Sequence, residues 1–170
     1  MPTRRQTGRL PVAPAGLFQV GLRGDWKDGA EAEFRLAQDA RLLPVALFEQ
    51  RSAASVADEI KTAVGDRPLC LGVDIDGVDD PAFCPGTDTP VPGGLSSRKL
   101  LCLLDNLAGA KIIEMDLVEV SPPHDHAHLT STFAAYCLFS RLDLLAIGQA
   151  ARRTGSDDFR GGALKPGDAA

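Results

Sequence analysis

The chain has 170 residues, 44% of them hydrophobic and 24% charged, with a formal net charge of -5. That length and composition suit one soluble domain with a true core. The negative balance without a long basic block argues against a nucleic-acid partner, and Arg141 and Asp143 break the most apolar segment, so no membrane span is predicted.

In chain order, the start "MPTRRQTGRL" has two arginines but no apolar signal core behind them, which argues against secretion. Residues 1–15 read as a poorly ordered leader. "GLFQVGLRG", 16–24, reads as a buried strand ending at glycine. "DGAEAEFRLAQDA", 28–40, is Ala-rich, with Glu31 and Arg35 spaced to pair on one helical face. "LLPVALF", 42–48, predicts a short strand. "SAASVADEIKTAVG", 52–65, predicts a helix with Ser52 as its start and Gly65 as its stop. "LCLGVDID", 69–76, reads as a strand apolar on both faces. "SSRKLLCLLDNLAG", 96–109, is a second Ser-started, Gly-stopped helix, and "KIIEMDLVEV", 111–120, a further strand. From Leu129 to about Arg152 runs a long helix, apolar nearly all round, before a Gly-rich tail over 153–170 that predicts disorder.

Strands alternating with helices, and lacking polar alternation, predict a parallel sheet covered on both faces, here as one domain over 16–152. Function in such sheets collects at the carboxyl ends of the strands, where Asp74, Asp76 and Glu119 fall. Cys70, Cys84, Cys102 and Cys137 show no CxxC spacing, which predicts buried or half-buried thiols in a reducing cytoplasm.

The densest chemistry is "VDIDGVDDPAFCPGTDTPVPGG", 73–94. Residues i and i+2 of a strand share a side, so Asp74 and Asp76 would repel one another beneath a covering loop. Protons or a hard divalent cation would relieve that repulsion, or the pair is a solvated strand end that caps its loop. Pro81, Pro85, Pro90, Pro92, Gly86, Gly93 and Gly94 describe a sharply folded, rigid loop of the kind that shapes sites. Glu119, in "DLVEVSPP", is either a salt-bridge partner or a carboxylate matched to a guanidinium fork. "HDHAH" holds every histidine of the chain, His124, His126 and His128, and reads either as a metal cluster or as a polar loop closing over a pocket.

Together these stretches resemble the carboxyl half of the ureohydrolases, the arginase and agmatinase family. "DIDGVDDPAFCPGTDTPVPGG" is similar to its strand-end signature, "EVSPPHDHA" with "LTSTFAAYCLFSRL" to its last loop and helix, and "QVGLRG" to a central strand; the "PPHDHA" loop favours the agmatinase branch. The resemblance implies a three-layer αβα, arginase/deacetylase-like fold with a parallel sheet. It implies hydrolysis of a guanidino compound such as agmatine to urea and an amine at a centre of two manganese ions. Asp74 and Asp76 would be metal ligands and Glu119 the guanidinium partner.

The sequence departs from that pattern in places. An extra residue lies among Gly77, Asp79 and Asp80, Asp88 stands where glycine is usual, and His124 where an aromatic ring is usual. The family's Gly-Gly-Asp-His and Asp-Ala-His-x-Asp motifs do not occur in these residues. The expectation is therefore a fold lacking its amino-terminal strands, with self-association or a complementary half as partner. Two alternatives stand beside it. One is a non-catalytic fragment or split-enzyme half that pairs with another chain. The other is a haloacid-dehalogenase-like phosphatase, with Asp74 as nucleophile and Asp76 as general acid.

Overall fold

The structure, a computed structural model, describes residues 16–24, 40–78 and 84–154, with side chains up to 142. Strand β1 (Phe18–Leu22) pairs in parallel with β2 (Arg41–Pro44), Phe18 lying opposite Arg41. Strand β3 (Leu69–Asp74) pairs in parallel with β4 (Ile112–Val118), from Leu69 opposite Ile112 to Asp74 opposite Val118. The helices are α1 (Val45–Phe48), α2 (Ala53–Val64), α3 (Ser97–Asn106) and α4 (Leu129–Thr154).

The capping signals work as expected. Ser52 Oγ accepts the Ser55 N–H at 3.1 Å, and Gly65, at φ 57°, closes α2 by donating to the Lys61 carbonyl at 2.8 Å. Ser96 Oγ accepts the Lys99 N–H at 3.1 Å to start α3. The stretch over 42–48 behaves differently from its strand reading: the strand stops at Pro44 and Val45–Phe48 forms one helical turn. Pro44 has no N–H to give a ladder, and its φ of -58° leads into a helix. Helix α4 runs through Thr154, into the expected tail. The remaining tail, the leader over 1–15 and all but Ala40 of the helix expected over 28–40 lie outside the described residues.

One core joins Phe18, Val20 and Leu43 of the first strand pair to Val56, Ile60 and Val64 of α2 and Leu103 of α3. A second joins Leu71, Val73, Met115 and Leu117 of β3 and β4 to Leu100 and Leu104 of α3 and Ala134 and Cys137 of α4. The three long described helices thus pack against the same face of β3 and β4. On the other face of β3 and β4, Cys70, Gly72 and Asp74 lie beside Glu114, Asp116 and Val118, and all are exposed. This corrects the reading of β3 as apolar on both faces. Cys70 and Gly72 count as apolar by type, but they alternate with the inward Leu69, Leu71 and Val73 as in a half-buried strand. Cys70 is accordingly exposed, whereas Cys84 and Cys137 are buried and Cys102 half-buried; no disulfide forms among them.

Along α4, Thr130, Ala134, Cys137 and Arg141 are buried at the i, i+4, i+7, i+11 spacing of one helical stripe. The opposite stripe is also apolar but open, with Tyr136 58%, Phe139 65% and Leu142 62% exposed. No helix among the described residues is long and apolar enough to cross a membrane.

Candidate functional site

The sequence-predicted carboxylates meet at the carboxyl ends of β3 and β4. Asp74 is the last residue of β3, and Asp76 lies in the 3-10 turn Ile75–Gly77 that follows. The pair therefore does not share one strand face, as the i, i+2 spacing predicted, because the strand ends before Asp76. Instead Asp74 Oδ1 accepts the Asp76 N–H at 2.9 Å and caps that turn. The turn then closes onto the loop's far end: the Leu95 N–H donates to the Gly77 carbonyl at 2.9 Å. Of the inserted stretch, Gly77 sits in this turn, while Asp79, Asp80 and Pro81 lie outside the described residues.

The Asp76 carboxylate is held by two hydroxyls from the proline–glycine loop, those of Thr87 and Thr89, the latter at 2.5 Å. Glu119 follows Val118, which lies opposite Asp74 in the ladder, so register alone carries it to the same rim. It is a non-glycine residue at φ 67°, a conformation that costs energy and recurs at functional sites. The pKa of Asp74 is raised, first by the protein crowded around its carboxylate and then by the charges of Asp76 and Glu119. The Asp76 N–H and the Arg23 guanidinium oppose that rise. Three carboxylates thus share one electrostatic neighbourhood.

Arg23 is a site residue that sequence reasoning passed over. It follows β1, and its Nε donates to the Val91 carbonyl at 2.7 Å, tying the loop to the strand ends. The available signal was a lone arginine closing "QVGLRG". Gly86 is a glycine by necessity: a Cβ there would lie 2.6 Å from Asp125 Cβ. Its N–H donates to buried Thr130 Oγ1 at 2.8 Å, and its carbonyl accepts the Ser121 N–H at 2.7 Å.

The "HDHAH" stretch divides its roles. Asp125 is buried and caps α4, accepting the N–H groups of Thr130 and Ser131 at 2.9 Å each and the Ser131 hydroxyl at 2.5 Å. His124 contacts Asp88, while His126 and His128 are exposed. Among the described residues, no group of three or more His, Cys, Asp or Glu is arranged to hold a metal ion. The Ser131 hydroxyl, then the two N–H groups, hold the Asp125 carboxyl below the usual carboxylate range. A depressed folded pKa gives stability that is present above the unfolded value and lost as pH falls through the folded one. Asp125→Ala is therefore expected to lower Tm by roughly 3 °C near neutral pH, with the gap closing below about pH 4. Circular dichroism melts across that range test it, and a pH-independent gap would contradict it.

These features define an α/β protein with a carboxylate-lined rim at the carboxyl ends of parallel strands, under a rigid loop. The chain belongs to the arginase family, whose description matches residues 1–142. It is 38% identical over 133 residues to proclavaminate amidinohydrolase of Streptomyces clavuligerus, covering 78% of this chain and 42% of that protein. It is 37% identical over 143 residues to an agmatinase of Serratia proteamaculans (strain 568), covering 84% and 42%. Among solved structures, a hypothetical agmatinase from Burkholderia thailandensis superposes with a TM-score of 0.74 at 33% identity, over 89% of this chain and 44% of that one. Formimidoylglutamase of Bacillus subtilis superposes at 0.79 with 24% identity, over 85% and 46%, a likeness of fold. The chain spans about two fifths of the length of the curated relatives it matches. The family match takes in Asp74, Asp76, the loop and Glu119 together, and the phosphatase reading, which leaves the loop unexplained, is set aside.

Proposed function

We propose that the chain carries the strand-end part of a ureohydrolase site that hydrolyses a guanidino compound such as agmatine to urea and an amine. The observation behind this is the meeting of Asp74, Asp76 and Glu119 on one rim, within the stretch that matches the arginase family. In this reading Glu119 binds the substrate guanidinium, since a carboxylate accepts two parallel N–H bonds from that fork. Asp74 and Asp76 would hold manganese. Hard carboxylate oxygens suit it, and a cation would relieve the like-charge crowding at Asp74. When bound, the metal supplies Lewis acidity and eases formation of a nucleophile from water at neutral pH.

Two carboxylates are fewer donors than such ions take. We therefore propose that the remaining ligands come from a complementary amino-terminal half. Calorimetric titration tests this: manganese is expected to bind the chain weakly and to lose that binding in Asp74→Ala. Two tight sites on the chain alone would overturn it. The open stripe of Tyr136, Phe139 and Leu142 fits a second proposal, association with a second copy through α4 in the absence of that half. Sedimentation is expected to show concentration-dependent association that Phe139→Lys weakens, and a monodisperse monomer would contradict it.

A further inference from the structure

Glu119 is suspended between two anchors. On one side Val118 is locked opposite Asp74 in the ladder. On the other, Ser121 donates its N–H to the Gly86 carbonyl at 2.7 Å. Ser121 Oγ also donates to Asp88 Oδ1 at 2.6 Å, and His124 Nδ1 meets the same oxygen at 3.0 Å. An ionised carboxylate only accepts, so the proton of that contact belongs on Nδ1. The three side chains close a triangle, with Ser121 Oγ and His124 Nδ1 3.1 Å apart. Asp88 in turn sits between Thr87 and Thr89, whose hydroxyls grip Asp76. One short loop segment thus holds Asp76 on one side and the chain just past Glu119 on the other. Asp88 and His124 are also two of the positions where the sequence departs from the pattern it resembles. Glycine at the first has no side chain to accept either bond, and an aromatic ring at the second lacks the imidazole Nδ1 that meets Asp88.

Resting on the ureohydrolase reading for the role of Glu119, we propose that Asp88, Ser121 and His124 form a clamp that positions Glu119 against the Asp74–Asp76 strand end for guanidinium binding. A non-glycine residue in the left-handed region relaxes toward the extended region unless its neighbours hold it. A bidentate carboxylate–guanidinium pair demands a fixed carboxylate plane. The clamp supplies that fixity from outside the ladder, and its three members are positioning residues that need not touch the substrate.

The first measurement uses the chain by itself. In Asp88→Gly, the nuclear magnetic resonance signature of a proton on His124 Nδ1 is expected to be lost. The Ser121 amide is expected to exchange about tenfold faster or more, and the Overhauser contact between the Glu119 and Asp74 backbones to weaken. Ser121→Ala serves as a second variant should Asp88→Gly fail to fold. The second measurement uses the chain paired with an amino-terminal half. Asp88→Gly and His124→Phe are expected to raise KM for agmatine about tenfold with kcat held within about twofold, and His124→Asn, which keeps an N–H within reach of Asp88, to restore KM. Unchanged Ser121 exchange would overturn the clamp. Faster exchange with an unchanged KM would reduce it to a structural tie and overturn the positioning role. No urea from the unaltered pair would instead overturn the ureohydrolase reading, and the exchange and Overhauser results on the chain alone would still decide the clamp.

Discussion

Urea release from agmatine is expected when the chain is co-expressed with an amino-terminal half bearing the Gly-Gly-Asp-His and Asp-Ala-His-x-Asp motifs, and not from the 170-residue chain alone. Asp76→Ala is expected to return the paired enzyme to background. Both Asp76 oxygens already accept threonine hydroxyls, which fix the direction of its remaining lone pairs, and alanine removes the donor proposed for manganese. Glu119→Gln preserves size and removes charge. It is expected to lower kcat/KM by roughly 10- to 100-fold, because a charge-assisted hydrogen bond contributes about 1.5–3 kcal/mol. The loss should fall mainly on KM if the carboxylate grips substrate and transition state alike. A colorimetric urea assay at saturating manganese reads every combination. Turnover by the chain alone would refute the need for a second half. Silence in all combinations would favour a non-catalytic fragment.

Much of this architecture was legible because its signals are local. Ser52 and Gly65 bracket α2, and Ser96 starts α3, through bonds within one turn, so sequence order alone finds them; α3 itself closes at Leu107, two residues before the glycine. The strand–helix alternation carried the parallel pairing, and the strand ends then carried Asp74 and Glu119 to one rim. What escaped depends on distant contacts or on small backbone choices. The helical turn at Val45 follows from Pro44, yet "LLPVALF" is apolar enough for either reading. Asp76 left the strand because the chain turns at Ile75, a turn capped by Asp74 and closed by the Val78 N–H on the Ile75 carbonyl. The Asp88–His124 contact spans 36 residues, and Arg23 reaches across 68 to Val91. No periodicity encodes either pairing; both arise from the packing of loops once the sheet has formed.

The same dependence on distant partners governs Arg141, a buried charged residue outside the site. In the sequence it merely interrupts an apolar stretch; in the structure it is buried, only 2% exposed, among core residues of α4. One guanidinium nitrogen donates to the Leu104 carbonyl in the last turn of α3, and another donates to Asp105 Oδ1 at 2.5 Å. Its Nε is buried without a hydrogen-bond partner. Burial lowers the Arg141 pKa, and Asp105 is the main charge opposing that fall. Asp105→Ala is therefore expected to destabilise the fold by about 2 kcal/mol, a Tm loss of roughly 4–8 °C, because it strands a buried cation. The figure sits below the usual range for a broken buried pair because the Asp105 side chain is 64% exposed and water screens part of the interaction. Arg141→Met removes the cation, keeps an apolar stem and leaves the Leu104 carbonyl its bond from the Leu107 N–H, so its loss is expected to stay below about 1 kcal/mol. Adding Asp105→Ala to Arg141→Met is expected to change little further, since the charge needing a partner is gone. Urea melts of the two single variants and the double variant test this ordering. An Arg141→Met loss larger than that of Asp105→Ala would mean that the guanidinium earns its place as a cap on α3 rather than as half of an ion pair.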